Sequence, residues 1–178
     1  NRQPQTANPV LGLIGRIEFK QKRQDFMVRS FCSHPDAFQD CRLLIAGSGP
    51  DGDSLKQLVA ECPRSNDIIL APWQDDIESF YEQIDFLIIP SRYEGVPLVM
   101  LEALARGIPV IGTARDGMKD HLPDSWTFES ENADSLAETF STCRHSRQND
   151  IDSLKKKTET EMTIKAFRSA FHRAVVPA

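Results

Sequence analysis

FLIIPSRYEGVPLVMLEALARGIPVIG, residues 86–112, decides the fold. It opens on the apolar run Phe86 to Ile89, too short for a core helix and suited to a strand buried on both faces. A loop follows, and then Pro97 to Arg106 carries Leu98, Leu101 and Ala105 three and four residues apart, the period of a helix. Pro97 falls in the first turn, where a helix tolerates proline, and Gly107 with Pro109 stops the helix. Pro109 to Gly112 is a second short apolar run. Strand, helix and strand in this order make a βαβ unit, whose strands are parallel.

The same alternation extends in both directions. Val10 to Gly15, Cys41 to Ala46 and Asp67 to Leu70 read as further strands, with a weak sixth at Trp126 to Phe128. Between them Gln24 to Ser33, Ser54 to Cys62 and Ile77 to Gln83 have helical period, as in the pair Met27 and Phe31. The expected fold is α/β, a doubly wound parallel sheet of Rossmann-like type. After Glu131 the chain turns polar and helical, with one helix at Ala133 to Cys143 and one or two more over Ile151 to Val175. The lysine run at 155–157 reads as a solvated face. The organisation expected is a linker remnant over 1–9, a Rossmann-like domain over 10–144, and a helical segment of the same unit over 145–178.

With 178 residues, 40% of them hydrophobic and 26% charged, the chain falls among globular domains and can bury a core without metal or disulfide support. No run of about 18 apolar residues occurs, so no transmembrane segment is expected. Asn1 to Pro9 lacks the basic and apolar regions of a signal peptide, and the chain reads as cut from something longer. Cysteines at 32, 41, 62 and 143 form no CxxC pair and no zinc spacing, so four reduced thiols in a cytoplasmic protein are expected. A net charge of −5 argues against nucleic acid as a partner. Residues 1–30 nevertheless hold six bases against two acids, a compact cluster of the kind a small anionic ligand requires; a solvated loop and helix face is the alternative.

In a doubly wound sheet ligands sit at the carboxyl ends of the strands, so the loops leaving those ends hold the candidates. The first, GRIEFKQKR at 15–23, offers Gly15 for close approach, the planar fork of Arg16 and the point charge of Lys22, together suited to a diphosphate. The second, GSGPDG at 47–52, matches the dinucleotide fingerprint, with Asp67 twenty residues on. That match is rejected, because Asp67 opens its strand and lies at the wrong end of the sheet, and Pro50 removes an N–H from the loop.

The third loop belongs to the opening stretch. Glu94 and Gly95 precede a helix whose N-terminus presents free N–H groups and a positive dipole end, a combination suited to a ligand with both phosphate and hydroxyl groups. Glu94 acting only as a cap for that helix is the alternative. Glu102, eight residues on, interrupts an apolar face, or else pairs with Arg106 at i+4.

GRIEFKQKR, LLIAGSGP and SRYEGVPLVMLEALARGIPVIGT resemble the carboxyl-terminal nucleotide-binding lobe of the retaining GT-B glycosyltransferases of family 4, the glycosyl group 1 transferases. The likeness covers residues 10 to about 140, and its Glu-x7-Glu pair is specific to that group. It implies a donor site for a nucleotide diphosphate sugar, UDP-linked by expectation. In it Arg16 and Lys22 hold the diphosphate as leaving group, and Glu94 meets the donor sugar. Glu102 accepts from the ribose hydroxyls, and Gly95 with the N–H groups of Val96, Leu98 and Val99 forms the phosphate-holding turn. Leu70, Ala71, Pro72 and Trp73 fall at the base pocket, where Trp73 stacks on the base or packs in the core. Gly47 and Gly49 become close-approach glycines near the nucleoside.

The chain departs from the family at Arg23, where glycine is common and added charge falls beside the phosphates. It departs again at Val96, in an aromatic position, and at Asp116 and Asp120 in the turn near the sugar. The resemblance further implies no cofactor and no metal, a separate amino-terminal acceptor lobe, and a glycan or lipid-linked acceptor. It implies a cytoplasmic location, peripheral at the inner face of the cell membrane through that other lobe, and a lobe that alone is inactive or weakly active. A nucleotide-sugar-binding module without transferase activity, and a GT-B sugar-nucleotide epimerase, remain open as alternatives.

Overall fold

Six short apolar runs pair into one parallel sheet. They are β1 (Val10–Ile14), β2 (Arg42–Ala46), β3 (Ile68–Ala71), β4 (Phe86–Ile89), β5 (Val110–Thr113) and β6 (Thr127–Phe128), in spatial order 3-2-1-4-5-6. The structure, a computed structural model, describes residues 8–73, 76–145 and 148–161. β1 is central, in register with β2 from Val10 opposite Arg42 to Ile14 opposite Ala46, and with β4 through Leu11 opposite Phe86. The expected doubly wound α/β sheet is the fold observed.

Helices α1 (Gln24–Ser33) and α2 (Gly52–Ala60) connect strands that progress one way across the sheet, whereas α3 (Ile77–Gln83) carries the chain back across to β4. α4 (Leu98–Ala105) and α5 (Asp116–His121) then progress the other way, so right-handed crossovers place them on the opposite face from α1 and α2. α6 (Ala133–Arg144) returns to pack beside α1, and α7 (Gln148–Glu161) packs on α4. The rest of the expected helical segment beyond 161, like residues 1–7 of the expected linker, lies outside the described residues. Lys156 and Lys157 are exposed, as a solvated face requires, while Lys155 is half-buried near Gly107. α5 was not legible in the sequence: at six residues it has no apolar period, and one fully buried side chain, Met118, anchors it.

Beneath α1 and α6 four aromatic rings form a continuous chain, Phe31 to Phe38 to Phe140 to Phe86, with centroids 5.6, 5.3 and 5.4 Å apart. Each such contact adds about 0.5–1.5 kcal/mol beyond the area buried, so this chain clamps both helices to the centre of the sheet. No helix among the described residues is long and apolar enough to cross a membrane.

The expectation of four reduced thiols is corrected. Cys32, in the last turn of α1, is disulfide-bonded to Cys62, just past α2, with Cα atoms 6.0 Å apart. The two cysteines are 30 residues apart in sequence, and only the parallel packing of α1 and α2 on one face brings their ends together. Cys41 and Cys143 remain buried free thiols, and burial raises the Cys41 pKa to about 11, so it is inert as a nucleophile.

Candidate functional site

The chain winds outward from β1 to β2 and β3, then returns to β4, so the loops leaving β1 and β4 part toward opposite faces. Between them, at the carboxyl ends of the strands, lies the crevice where such sheets take ligands. The β1 loop, residues 15–23, is held firmly along its length. Ile17 is buried and its N–H donates to the Ser48 carbonyl at 2.9 Å, while the Phe19 N–H donates to Asp51 Oδ2 at 2.7 Å. Gln24, 4% exposed, donates to the Arg16 carbonyl at 2.8 Å and accepts from the Glu18 N–H at 3.3 Å. A buried amide with both ends engaged holds its neighbours in place, because leaving either end unpaired costs about 1–3 kcal/mol.

At the far end of this loop, Lys22 Nζ forms an ion pair with Glu94 Oε1 of the loop after β4. Ser91, buried beside it, donates its hydroxyl to the same Glu94 oxygen at 2.8 Å. Thr113, fully buried at the end of β5, donates to the Ser91 carbonyl at 2.9 Å. The backbone joins the two loops as well, through the Arg92 N–H and the Gln21 carbonyl at 2.8 Å. Glu94 is thus held across the crevice by groups from the loops leaving β1 and β4, with Thr113 of β5 bracing Ser91. α4 begins after Pro97, which stands just before the helix rather than in its first turn and makes no side-chain capping bond. The first helical hydrogen bonds run from Met100 and Leu101 back to the Pro97 carbonyl, so the N–H groups of Leu98 and Val99 stand ahead of the ladder. A Cβ on Gly95 would meet open space, whereas one on Gly117 would strike the Gly95 carbonyl, so glycine at 117 lets α5 dock against this loop.

Glu102, one turn into α4, is half-buried and accepts a hydrogen bond of 2.8 Å from the hydroxyl of Tyr81 on α3. The expected alternative, an ion pair with Arg106, does not form. The Arg106 guanidinium turns to Glu78, at 3.1 Å from Nε, and reaches Glu102 only at its main-chain carbonyl.

A cavity of about 490 Å³ opens at the ends of β2 and β3, lined by Ile17, Gly47, Gly49, Leu70, Ala71 and Pro72 among others. A much smaller one, about 30 Å³, lies at the crevice itself and is bordered by Lys22, Ser91, Glu94 and Val99. Gly47 and Gly49 do line the larger cavity, but the need for glycine comes from elsewhere: a Cβ on Gly47 would strike the Gly15 carbonyl, and one on Gly49 the Ile17 carbonyl. Both glycines thereby admit the β1 loop to this end of the sheet. Asp67 lies in the turn before β3, paired with Arg64 at 3.0 Å, at the opposite end of the strand from the site, as the rejection of a dinucleotide fingerprint required.

Of the other expected residues, Arg16 is exposed on the β1 loop and borders neither cavity. Trp73 is 55% exposed, which removes the core-packing alternative, and Val96 and Leu98 are exposed as well. Arg23 takes the left-handed conformation, φ 57°, which explains a position where glycine suits. Its guanidinium, however, is occupied by Asp25 at 3.1 Å and by Glu131, so the added charge is neutralised at home. Ser91, Thr113, Gln24 and Tyr81 were not singled out from sequence; a buried polar side chain gives no periodic signal, and its partners are distant in the chain.

Residues 8–145 match the family model described as glycosyl transferases group 1. An uncharacterized glycosyltransferase of Haemophilus influenzae is 26% identical over 140 residues, covering 76% of this chain and 39% of that protein. The lipopolysaccharide core biosynthesis mannosyltransferase LpsB of Rhizobium meliloti is 31% identical over 112 residues, covering 60% of this chain and 32% of its own length. The chain therefore spans well under half of these relatives. Among solved structures, HepE of Anabaena in complex with UDP and glucose superposes with a TM-score of 0.81 at 16% identity, covering 96% of this chain and 49% of that one.

Proposed function

Since the chain belongs to the glycosyl transferases group 1 family, a GT-B glycosyltransferase fold, we propose that it is the donor-binding lobe of a retaining transferase of family 4. It takes a nucleotide diphosphate sugar, UDP-linked, and passes the sugar to a glycan or lipid-linked hydroxyl presented by a second lobe. The observation that carries this reading is the pairing of Lys22 with Glu94 across the crevice at the N-terminus of α4, beside a cavity large enough for a nucleoside. The UDP in the HepE structure is further support.

In this reading the base and ribose occupy the cavity walled by Leu70, Ala71 and Pro72, and the diphosphate reaches the crevice. Lys22, released from Glu94, and Arg16 meet the diphosphate with positive charge, and the N–H groups of Leu98 and Val99 add the dipole end of α4. These groups stabilise the departing diphosphate without a metal ion. Glu94, relieved of Lys22, faces the sugar, accepts from its hydroxyls and favours positive charge developing at the anomeric carbon. No side chain needs to act as nucleophile.

The test is calorimetry with UDP, UMP and uridine, with EDTA present throughout. UDP is expected to bind at least about tenfold more tightly than uridine, with the preference shrinking at high salt as screening weakens the phosphate contacts. Equal affinities for UDP and uridine would overturn the diphosphate assignment, and a strict need for a divalent cation would overturn the metal-free chemistry.

Glu102→Ala is expected to weaken UDP by about 1.5–3 kcal/mol, the range for hydrogen bonds to a charged group. The fold should tolerate the change, because the Tyr81 hydroxyl keeps the Val99 carbonyl as an acceptor at 3.2 Å. A change in UDP affinity below about 0.5 kcal/mol would remove Glu102 from the site.

A further inference from the structure

Tyr81 is 2% exposed at the middle of α3, and its ring serves two neighbours at once. Phe80 packs edge-on against it with centroids 5.5 Å apart, and the Arg106 guanidinium lies 4.6 Å over its face. Arg106 is itself held by both carboxylate oxygens of Glu78, one turn before Tyr81 on α3. The ring therefore cannot swing, and its hydroxyl is delivered to one place, 2.8 Å from Glu102 Oε2 and 3.2 Å from the Val99 carbonyl. A phenol has a single proton to donate, and the shorter contact to a charged acceptor takes it. Burial, reinforced by the hydrogen bond to Glu102, pushes the Tyr81 hydroxyl well above the usual phenol range, so it remains a donor.

We infer that Tyr81 is a positioning residue for Glu102: by occupying Oε2 it fixes the carboxylate on α4 so that Oε1 meets the ribose diol of the donor. This rests on the donor-site reading above and deepens it by naming what sets the ribose selectivity. A half-buried glutamate on a helix otherwise has several rotamers, and a ligand that selects one of them binds more weakly by the freedom lost. Tyr81 removes that loss before the donor arrives. The order Glu78, Arg106, Tyr81, Glu102 forms one chain from the solvent edge of α3 to the site.

Tyr81→Phe tests this, since it keeps the ring, the Arg106 contact and the packing, and deletes one oxygen. Affinities for UDP and 2′-deoxy-UDP are measured by calorimetry on the 178-residue chain, wild type, Tyr81→Phe, Glu102→Ala and the double variant, with thermal melts to show that each is folded. Wild type is expected to prefer UDP over its 2′-deoxy form, and Tyr81→Phe to weaken UDP about three- to tenfold while reducing that preference by at least about threefold. In the Glu102→Ala background Tyr81→Phe is expected to change UDP affinity by less than about twofold. A purely structural role would lower the melting point and leave the ratio of the two ligands untouched. Full ribose preference in folded Tyr81→Phe, beside a discriminating wild type, would overturn the inference alone. A wild type that binds the two ligands equally would overturn the ribose role of Glu102 and this inference with it.

Discussion

In the full-length protein, Glu94→Gln is expected to lower kcat by about two to three orders of magnitude while UDP binds about two- to fivefold more tightly. The two effects have opposite signs because Glu94 has two partners at different stages. Before the donor arrives, its Oε1 holds Lys22 in an ion pair and accepts from Ser91. UDP must take Lys22 away from that pair, and a partly exposed pair of this kind is worth about 0.2–1 kcal/mol, which the glutamine variant no longer withholds from the ligand. During reaction the same carboxylate stands by the sugar, and loss of one preorganised charge in a closed site typically costs about 3–4 kcal/mol of transition-state stabilisation. Glutamine keeps the shape and can still accept from Ser91, so the melting temperature should stay near that of wild type. Kinetics, calorimetry and a thermal melt on this one variant decide the matter. Unchanged turnover would refute the catalytic role, and weaker UDP binding would refute the competition between Glu94 and the diphosphate for Lys22.

Removing the Cys32–Cys62 disulfide is expected to cost about 3.5 kcal/mol, from the chain entropy released when a loop of this length is opened in the unfolded state. For a domain of this size that corresponds to a fall in melting temperature of about 7–14 °C. UDP affinity should not move. α1 and α2 run back from the carboxyl ends of β1 and β2, so their C-terminal ends, with Cys32 in the last turn of α1 and Cys62 just past α2, lie at the edge of the sheet away from the crevice. Calorimetric melts of the paired Cys32→Ser, Cys62→Ser variant against wild type, with UDP titrations alongside, measure both quantities. Four titratable thiols in the denatured wild-type protein would show that the bond does not form, and a loss of UDP affinity in the variant would show that the far edge is coupled to the site.

Sequence alone determined the sheet. Short β-branched runs separated by helical periods leave few arrangements open, because a strand buried on both faces and a helix with one apolar stripe can satisfy each other only in layers. The boundaries of α1 and α3 agree with the sequence reading to the residue, and Lys22, Glu94 and Glu102 stand out because charged groups interrupt apolar or glycine-rich stretches. Tertiary structure decided how those residues are engaged. Lys22 and Glu94 are 72 residues apart, Tyr81 reaches Glu102 from another helix, and Cys32 finds Cys62 across two packed helices. Arg106 likewise chose Glu78 on α3 over Glu102, its neighbour one turn back. Local spacing records which residue types can interact along one element, whereas pairing between elements depends on the direction each side chain takes after the layers have packed. Direction is a property of the packed backbone, and no periodicity in the chain encodes it.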